Sequence, residues 1–437
     1  MRERAGVVRR PGSMGRTSLR RAGVPWTIAF ETRLGRSPAL PLFILICLLL
    51  ATPLDPSSTL AARPAKTAKR APAATSVAKW PFPPSNLDPR ALASVRQRQA
   101  ARWLNSRPLF AVATDPRGNP GLVSIDPSLE GKLVLLCFWD YTNAHSLGLL
   151  PWLSGWNERY AGDGLVIVGV HAPGFAFAAD PANVAAGVKR LGVRTPVVID
   201  SDFLVWRAFE NRFWPRTILV LPGGRVGFDH VGETGTEAME VGIRTALGEL
   251  RGKRYDVSLL PPPGPDRADT LCRKATPDTF CDARRGKLGS PGYPKGGAAA
   301  DFRIPAQAEV MREGTIYPAG RWRASDQALL PEGKGPWEMR LKWSGVEASA
   351  VMAPPPSAAN ARLRVTLDGK PVPASARGRD VEADPSGATS VALDGPRLYD
   401  LVSGAPFGEH TIGLEPETAG TGVYAFFFGG CEKRAEP

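Results

Sequence analysis

From about residue 96 to residue 250 the chain alternates short apolar runs with amphipathic stretches. Residues 133–139, 165–171, 197–200, 217–221 and 225–231 are apolar or β-branched runs of strand length. Between them lie segments of helical period with readable ends. Asp180-Pro181 offers an N-cap followed by proline at the first helical position. Val184, Val188 and Leu191 then recur at helical spacing, and Gly192 supplies a stop. Asp202 is expected to cap a second helix, with Phe203, Trp206 and Phe209 on one face. Thr236 is expected to start a third, which buries Met239, Ile243 and Leu247. An earlier helix begins near Asn143 and contains Pro151, which should kink it. This alternation of strand and helix predicts an α/β domain, a central mixed sheet flanked by helices on both faces.

Residues 251–300 are Pro/Gly-rich and read as a linker containing Cys272 and Cys281. Beyond residue 300 helical period disappears. Met339, Leu341 and Trp343 alternate with charged residues, as do Leu363, Val365 and Leu367 before Asp368-Gly369, a hairpin turn signal. Val391, 398–402, 410–414 and 424–428 continue the pattern, so residues 301–437 read as an all-β sandwich of jelly-roll-like character.

Composition changes the picture only at the start of the chain. The net charge is +13, but residues 1–37 contribute +7 and residues 38–79 another +4, which leaves +2 for everything that follows. The two domains therefore lack the basic face that phosphate binding requires, and nucleic acid is not an expected partner. The uncharged run 39–51 follows the Arg-rich stretch and is shorter than the ~20 apolar residues of a spanning helix. Residues 1–52 therefore read as a signal peptide, with an N-terminal anchor as the alternative. Residues 53–95, rich in Ala, Pro, Ser and Lys, read as a flexible tether. The expected product is exported: periplasmic, or anchored and facing the periplasm, with secretion as a further option. Any membrane contact is expected only through the N-terminal segment.

Several segments of residues 100–437 occur in a telling order: 103–109 (Trp-Leu-Asn-Ser-Arg-Pro-Leu), Phe138-Trp139-Asp-Tyr141, Leu150-Pro151, 164–173, Phe175-Ala-Phe177, 196–200, Trp206, 211–215 (Asn-Arg-Phe-Trp-Pro) and Gly232-Glu233. They resemble the extracytoplasmic thioredoxin-like domains of the TlpA/DipZ type. Arg364-Val-Thr-Leu-Asp-Gly369, 397–402, His410 and 424–429 resemble the β-sandwich that follows the thioredoxin domain in that family. The resemblance implies a thioredoxin-like fold at 96–250 and a thiol-disulfide site in the segment 139–151. Aligned on the flanking Tyr141 and Leu150-Pro151, the family's two cysteine places fall on Asn143 and Ser146. Disulfide exchange needs both sulfurs, a first thiolate to attack and a second to resolve the mixed disulfide. Neither Asn nor Ser can serve. The resemblance also places a buried Asp before Phe-Trp, and here that place holds Cys137, which reads as a small buried hydrophobe. Trp214-Pro215 matches the family's cis-proline, so a peptide groove bounded by Trp139, Tyr141, Trp214 and Pro215 is expected to survive.

The remaining chemistry is sparse. His145 precedes Ser146, but adjacent helical residues point about 100° apart, and no nucleophile-elbow signature is present. The four His form no metal-ligand spacing, His171 reads as a hydrogen-bonded core histidine, and neither a metal nor a cofactor is expected. Cys272 and Cys281 are the expected structural disulfide, with Cys431 able to compete for either partner. Trp337 and Trp343 share parity with the core positions Met339 and Leu341. Trp322 and Tyr399 are thus left as candidate sugar-stacking residues. The leading reading is a redox-inactive, exported thioredoxin-fold protein that binds or scaffolds another extracytoplasmic protein at the groove. The alternatives are an oxidoreductase using Cys272 and Cys281 as displaced cysteines, and a carbohydrate-binding envelope protein.

Overall fold

The computed structural model describes residues 102–106, 109–114, 120–124, 126–261, 270–289, 292–294, 297–358 and 360–433. The expected signal segment and tether lie outside the described residues. The first half runs β1 (Arg102–Trp103), β2 (Phe110–Thr114), β3 (Pro120–Ser124), β4 (Leu133–Trp139), α1 (Ala144–Tyr160), β5 (Leu165–His171), α2 (Pro181–Arg190), β6 (Val197–Ile199), α3 (Leu204–Ala208), β7 (Arg216–Val220), β8 (Val226–Val231) and α4 (Glu237–Arg251). Six of these strands form one mixed sheet in the order β1-β6-β5-β4-β7-β8, while β2 and β3 pair as a separate hairpin. At its centre β4 runs parallel to β5 and antiparallel to β7.

Every residue of β4 is buried, because both faces are covered. Leu133, Leu135, Cys137 and Trp139 point into a core shared with α1, α2 and α4. Val134, Leu136 and Phe138 point to the other side, where Val205 and Phe209 pack.

Helix ends follow the expected chemistry at α2 but not at α3, and Thr236, the expected cap of α4, precedes that helix without a side-chain cap hydrogen bond. Asp180 accepts from the Ala182 amide at 2.9 Å and Pro181 opens α2. The predicted third helix is α4, with Met239, Ile243 and Leu247 fully buried. For α3 the expected cap Asp202 is replaced by Asp200, whose two carboxylate oxygens accept from the amides of Val205 and Trp206 at 2.9 and 2.7 Å. The intervening Phe203 turns through φ 56°, which carries the chain back so that the earlier Asp meets the helix end. Helix α1 continues through Pro151 to Tyr160.

The region after α4 differs from the expected linker. Its first part is strapped to the helices: Glu240, with no exposure, accepts from Tyr160 Oη at 2.6 Å, Arg244 Nη2 at 2.8 Å, the Leu260 amide at 3.0 Å, Arg159 Nη1 at 3.2 Å and Trp156 Nε1 at 3.3 Å. Arg159 and Arg244 also donate to the Ser258 carbonyl at 2.7 and 2.6 Å. Its later part is built into the β domain as β9 (Thr270–Cys272), β10 (Thr279–Phe280) and β11 (Ala299–Phe302).

There follow β12 (Ile316–Ala324), β13 (Leu329–Pro331), β14 (Glu338–Ala353), β15 (Arg362–Leu367), β16 (Lys370–Pro371), β17 (Glu382–Ala383), β18 (Thr389–Ala392), β19 (Arg397–Pro416), β20 (Gly422–Gly429) and β21 (Cys431–Lys433). All pairings among the named strands here are antiparallel. The long strands β14 and β19 pair along their length and shift register between Gly345 and Glu347. On either side of that shift β14 takes different second neighbours, β12 before it and β20 after it. The sandwich is thus one hydrogen-bonded sheet folded on itself. Its core holds Trp322, Trp337, Trp343, Met339, Leu341 and Tyr399. Asp368 and Gly369 both adopt positive φ and link β15 to β16, as the Asp-Gly signal predicts.

Candidate functional site at the start of α1

The chain leaves β4 at Trp139 and turns into α1 around a buried carboxylate. Asp140 is 1% exposed and accepts from the Thr142 amide at 3.0 Å, Thr142 Oγ1 at 2.7 Å and the Gly174 amide at 2.7 Å. The bend is thereby tied to the loop after β5. His171 Nε2 stands 3.3 Å from the same carboxylate, and its ring stacks on Tyr141 at 5.3 Å between centroids. His171 is fully buried, as expected, yet neither ring nitrogen makes a hydrogen bond of good geometry among the described residues. Ring stacking and the nearby carboxylate hold it instead.

At the two degenerate positions Asn143 Oδ1 accepts from the Ser146 amide at 2.9 Å and so caps α1. Ser146 is buried, and its Oγ accepts from the Asp140 amide at 3.3 Å. Both side chains are committed to holding the helix start. Below them Cys137 is fully buried, and burial pushes its thiol up, so it stays protonated.

His145 turns away from Ser146. Its Nδ1 lies 2.6 Å from Glu233 Oε1 and its Nε2 3.3 Å from Asp278 Oδ1. The hydrogen bond with Asp278, then that with Glu233, pushes the imidazole up to about 10, so the ring is a cation at neutral pH. Glu233, just after β8, reaches it by crossing α1 at Gly148, where a methyl group would collide with the carboxylate. Asp278 precedes β10 and belongs to the β domain.

The expected groove needs correction. Trp139 and Tyr141 are each 1% exposed: Trp139 sits in the α1-side core, and Tyr141 fills the space over Gly187 of α2. They face inward because the residues around the β4 end pack against α1 and α2, and they cannot touch a peptide. Pro215 is buried and the Trp214–Pro215 bond is cis. Trp214 is half-buried, packs against Trp206 at a 40° tilt with ring centroids 4.4 Å apart, and donates from Nε1 to the Ala172 carbonyl at 3.0 Å. The surface residue here is Phe213, 56% exposed and missed by the sequence reading. Asn211 presents it: its Oδ1 accepts from the Arg212 and Phe213 amides at 2.9 and 3.4 Å, and its Nδ2 donates to the Phe213 carbonyl at 3.1 Å. An aromatic between Arg212 and Trp214 was the available signal.

The cysteine pairing also differs from the expected one. Cys272 bonds Cys431, because β9 and β21 pair with these two residues in register. Cys281 is fully buried in the sandwich core, where burial and then the Asp282 charge push its thiol up. Cys272 and Cys281 therefore do not form a dithiol. The candidate stacking residues Trp322 and Tyr399 have no exposure: Trp322 donates to the Ala319 carbonyl at 2.8 Å, and Tyr399 Oη bonds Asp394 and Gly395. They are core residues, because both lie on the inward-facing side of their strands.

Residues 276–429 match the family model described as the thioredoxin-like C-terminal domain. Protein DipZ of Mycobacterium bovis is 28% identical over 318 residues, which cover 71% of this chain and 41% of DipZ. The chain thus spans less than half the length of that relative. The thiol-disulfide oxidoreductase YkuV of Bacillus subtilis is 24% identical over 129 residues, 30% of this chain and 86% of YkuV. Among solved structures, StoA from Bacillus subtilis matches 28% of this chain and 88% of its own, at 18% identity and a TM-score of 0.24. With a mixed α/β sheet and an antiparallel β domain after it, this chain has a thioredoxin-like architecture and is similar to thioredoxin-like proteins of the TlpA/DipZ type.

Proposed function

We propose that this protein is exported, does not exchange disulfides at the start of α1, and holds an extended segment of another cell-envelope protein on the surface around Phe213. The observation that carries the reading is the commitment of Asn143 and Ser146 to capping and buried hydrogen bonds. A thiol is the nucleophile of disulfide exchange, and a hydroxyl in a buried hydrogen bond is not a substitute. Among the described residues the two thiols outside the disulfide, Cys137 and Cys281, are fully buried and protonated, which makes them poor nucleophiles as well. Export is supported by the apolar run 39–51 behind an Arg-rich stretch, and by a disulfide that suits an oxidising compartment. Binding is supported by Phe213, a large exposed aromatic beside Trp214 and the edge strand β8.

The test is insulin reduction by the purified chain with dithiothreitol as reductant. The expected rate equals that of dithiothreitol alone. Turnover that disappears in Cys281→Ser or Cys137→Ser would sink the redox-silent reading. Binding is read separately with a displayed library of unstructured peptides: Phe213→Ala is expected to weaken selected peptides about tenfold, the scale of a truncated aromatic anchor.

A further inference from the structure

Strand β20 is apolar on both faces. Phe426 and Phe428 point into the sandwich core, whereas Ala425 and Phe427, with no more than 3% exposure, point out of it. An outward apolar face must be covered, and the cover is the thioredoxin domain. Phe427, Ala425, Val351 of β14 and Leu398 of β19 form a single cluster with Phe175, against which Ala144 and Leu147 of α1 pack. Tyr424 meets Phe175 and Phe177 edge-on, at 5.4 and 4.9 Å between centroids. The Ala176 amide donates to Gln327 Oε1 of the β12–β13 turn at 2.7 Å.

His145 stands at the rim of this apolar patch. It bonds Glu233 on its own domain and Asp278 on the other, with its ring edge-on to Phe427 at 6.0 Å. Ala144 and His145 are the two residues between the degenerate positions, so the contact falls on the turn that would otherwise present a reactive pair. Phe213, in the loop before β7, stays exposed.

We infer that the sandwich of this chain is the standing occupant of the α1 end of its thioredoxin domain, latched there by the His145 bridge, so that a second protein is kept from the face covered by Phe427 and Ala425 while Phe213 stays accessible. This inference does not depend on the binding role proposed above. It concerns which surface is closed, and it holds or fails whether or not a peptide binds at Phe213.

The test uses single introduced thiols and maleimide labelling read by intact mass. In a Cys47→Ser background, Cys137 and Cys281 are buried and Cys272 is bonded to Cys431, so only the introduced thiol reacts in the folded chain. Ala425→Cys probes the closed face and Phe213→Cys the open one. Labelling at 425 is expected to be roughly a hundredfold slower than at 213, and His145→Ala is expected to speed it about tenfold while leaving 213 unchanged, as for a local opening. Equal labelling at the two positions would overturn the inference. So would an Ala425→Cys rate that is unchanged by His145→Ala. Mass distinguishes opening, which labels one thiol, from unfolding, which labels three. If His145→Ala unfolds the chain, Asp278→Asn decides by the same two criteria, because it removes only the charge on the far side of the bridge.

Discussion

Glu240 and His145 are both charged groups inside ion clusters, and their burial sets different consequences. Burial alone would raise the Glu240 carboxyl, but hydrogen bonds from Tyr160, the Leu260 amide and Arg244 hold it below its usual range. Replacing it removes the buried carboxylate that Arg159 and Arg244 share, and such losses cost about 3–5 kcal/mol. Glu240→Ala should therefore lower the urea midpoint by a large fraction of the total stability, read by circular dichroism. His145 is 38% exposed, so solvent screens its two ion pairs and the contribution is about 1 kcal/mol. Its sign with pH is fixed by direction. The folded value is near 10 and the unfolded value about 6.5, so the stabilisation is complete below pH ~6.5 and is lost as pH rises toward 10. The charged groups facing it are Glu233 after β8 and Asp278 before β10, with Glu347 of β14 in electrostatic reach of Glu233. Between pH 6 and 10 the parent should lose more melting temperature than His145→Gln. Parallel curves would show that the bridge adds nothing to stability.

Elements were legible where a local rule decided them. The runs 133–139 and 165–171 become β4 and β5 with unchanged ends, because a strand covered on both faces is apolar without interruption. Asp180-Pro181 marks the start of α2 because the cap and the proline act within two residues. The cap of α3 was misassigned because it depends on Phe203 adopting φ 56°, which no residue type announces. Trp139 and Tyr141 were misplaced for a related reason: the Tyr141 ring is drawn inward by the space over Gly187, 46 residues away in sequence. The run Tyr424-Ala-Phe-Phe-Phe428 did carry information that the sequence reading left unused, since an aromatic at successive positions predicts a strand with no solvent face. The disulfide was illegible, as connectivity depends on register between β9 and β21. Non-reducing digestion should yield one linked pair, the peptides of Cys272 and Cys431, with Cys281 alkylated only after denaturation. Cys431→Ser should cost about 3–5 kcal/mol for a closure spanning 159 residues.

At the scale of the molecule, the described residues belong to one compact unit, and the contacts that unite them join distant parts of the chain. The bridge from His145 reaches 133 residues ahead to Asp278, and Cys272 finds its partner 159 residues later. Contacts of such separation form late, after local structure is in place. The apolar face of β20 adds an order of events. As the chain emerges from the ribosome, or from a translocation pore, the thioredoxin domain is complete by about residue 260 while the strand that will cover its α1 end has not been made. During that interval Ala144, Leu147 and Phe175 face solvent, and a holding chaperone would find them accessible. A fragment ending before β20 would keep that surface uncovered permanently, and should be insoluble or chaperone-bound even though every helix of the thioredoxin domain is present.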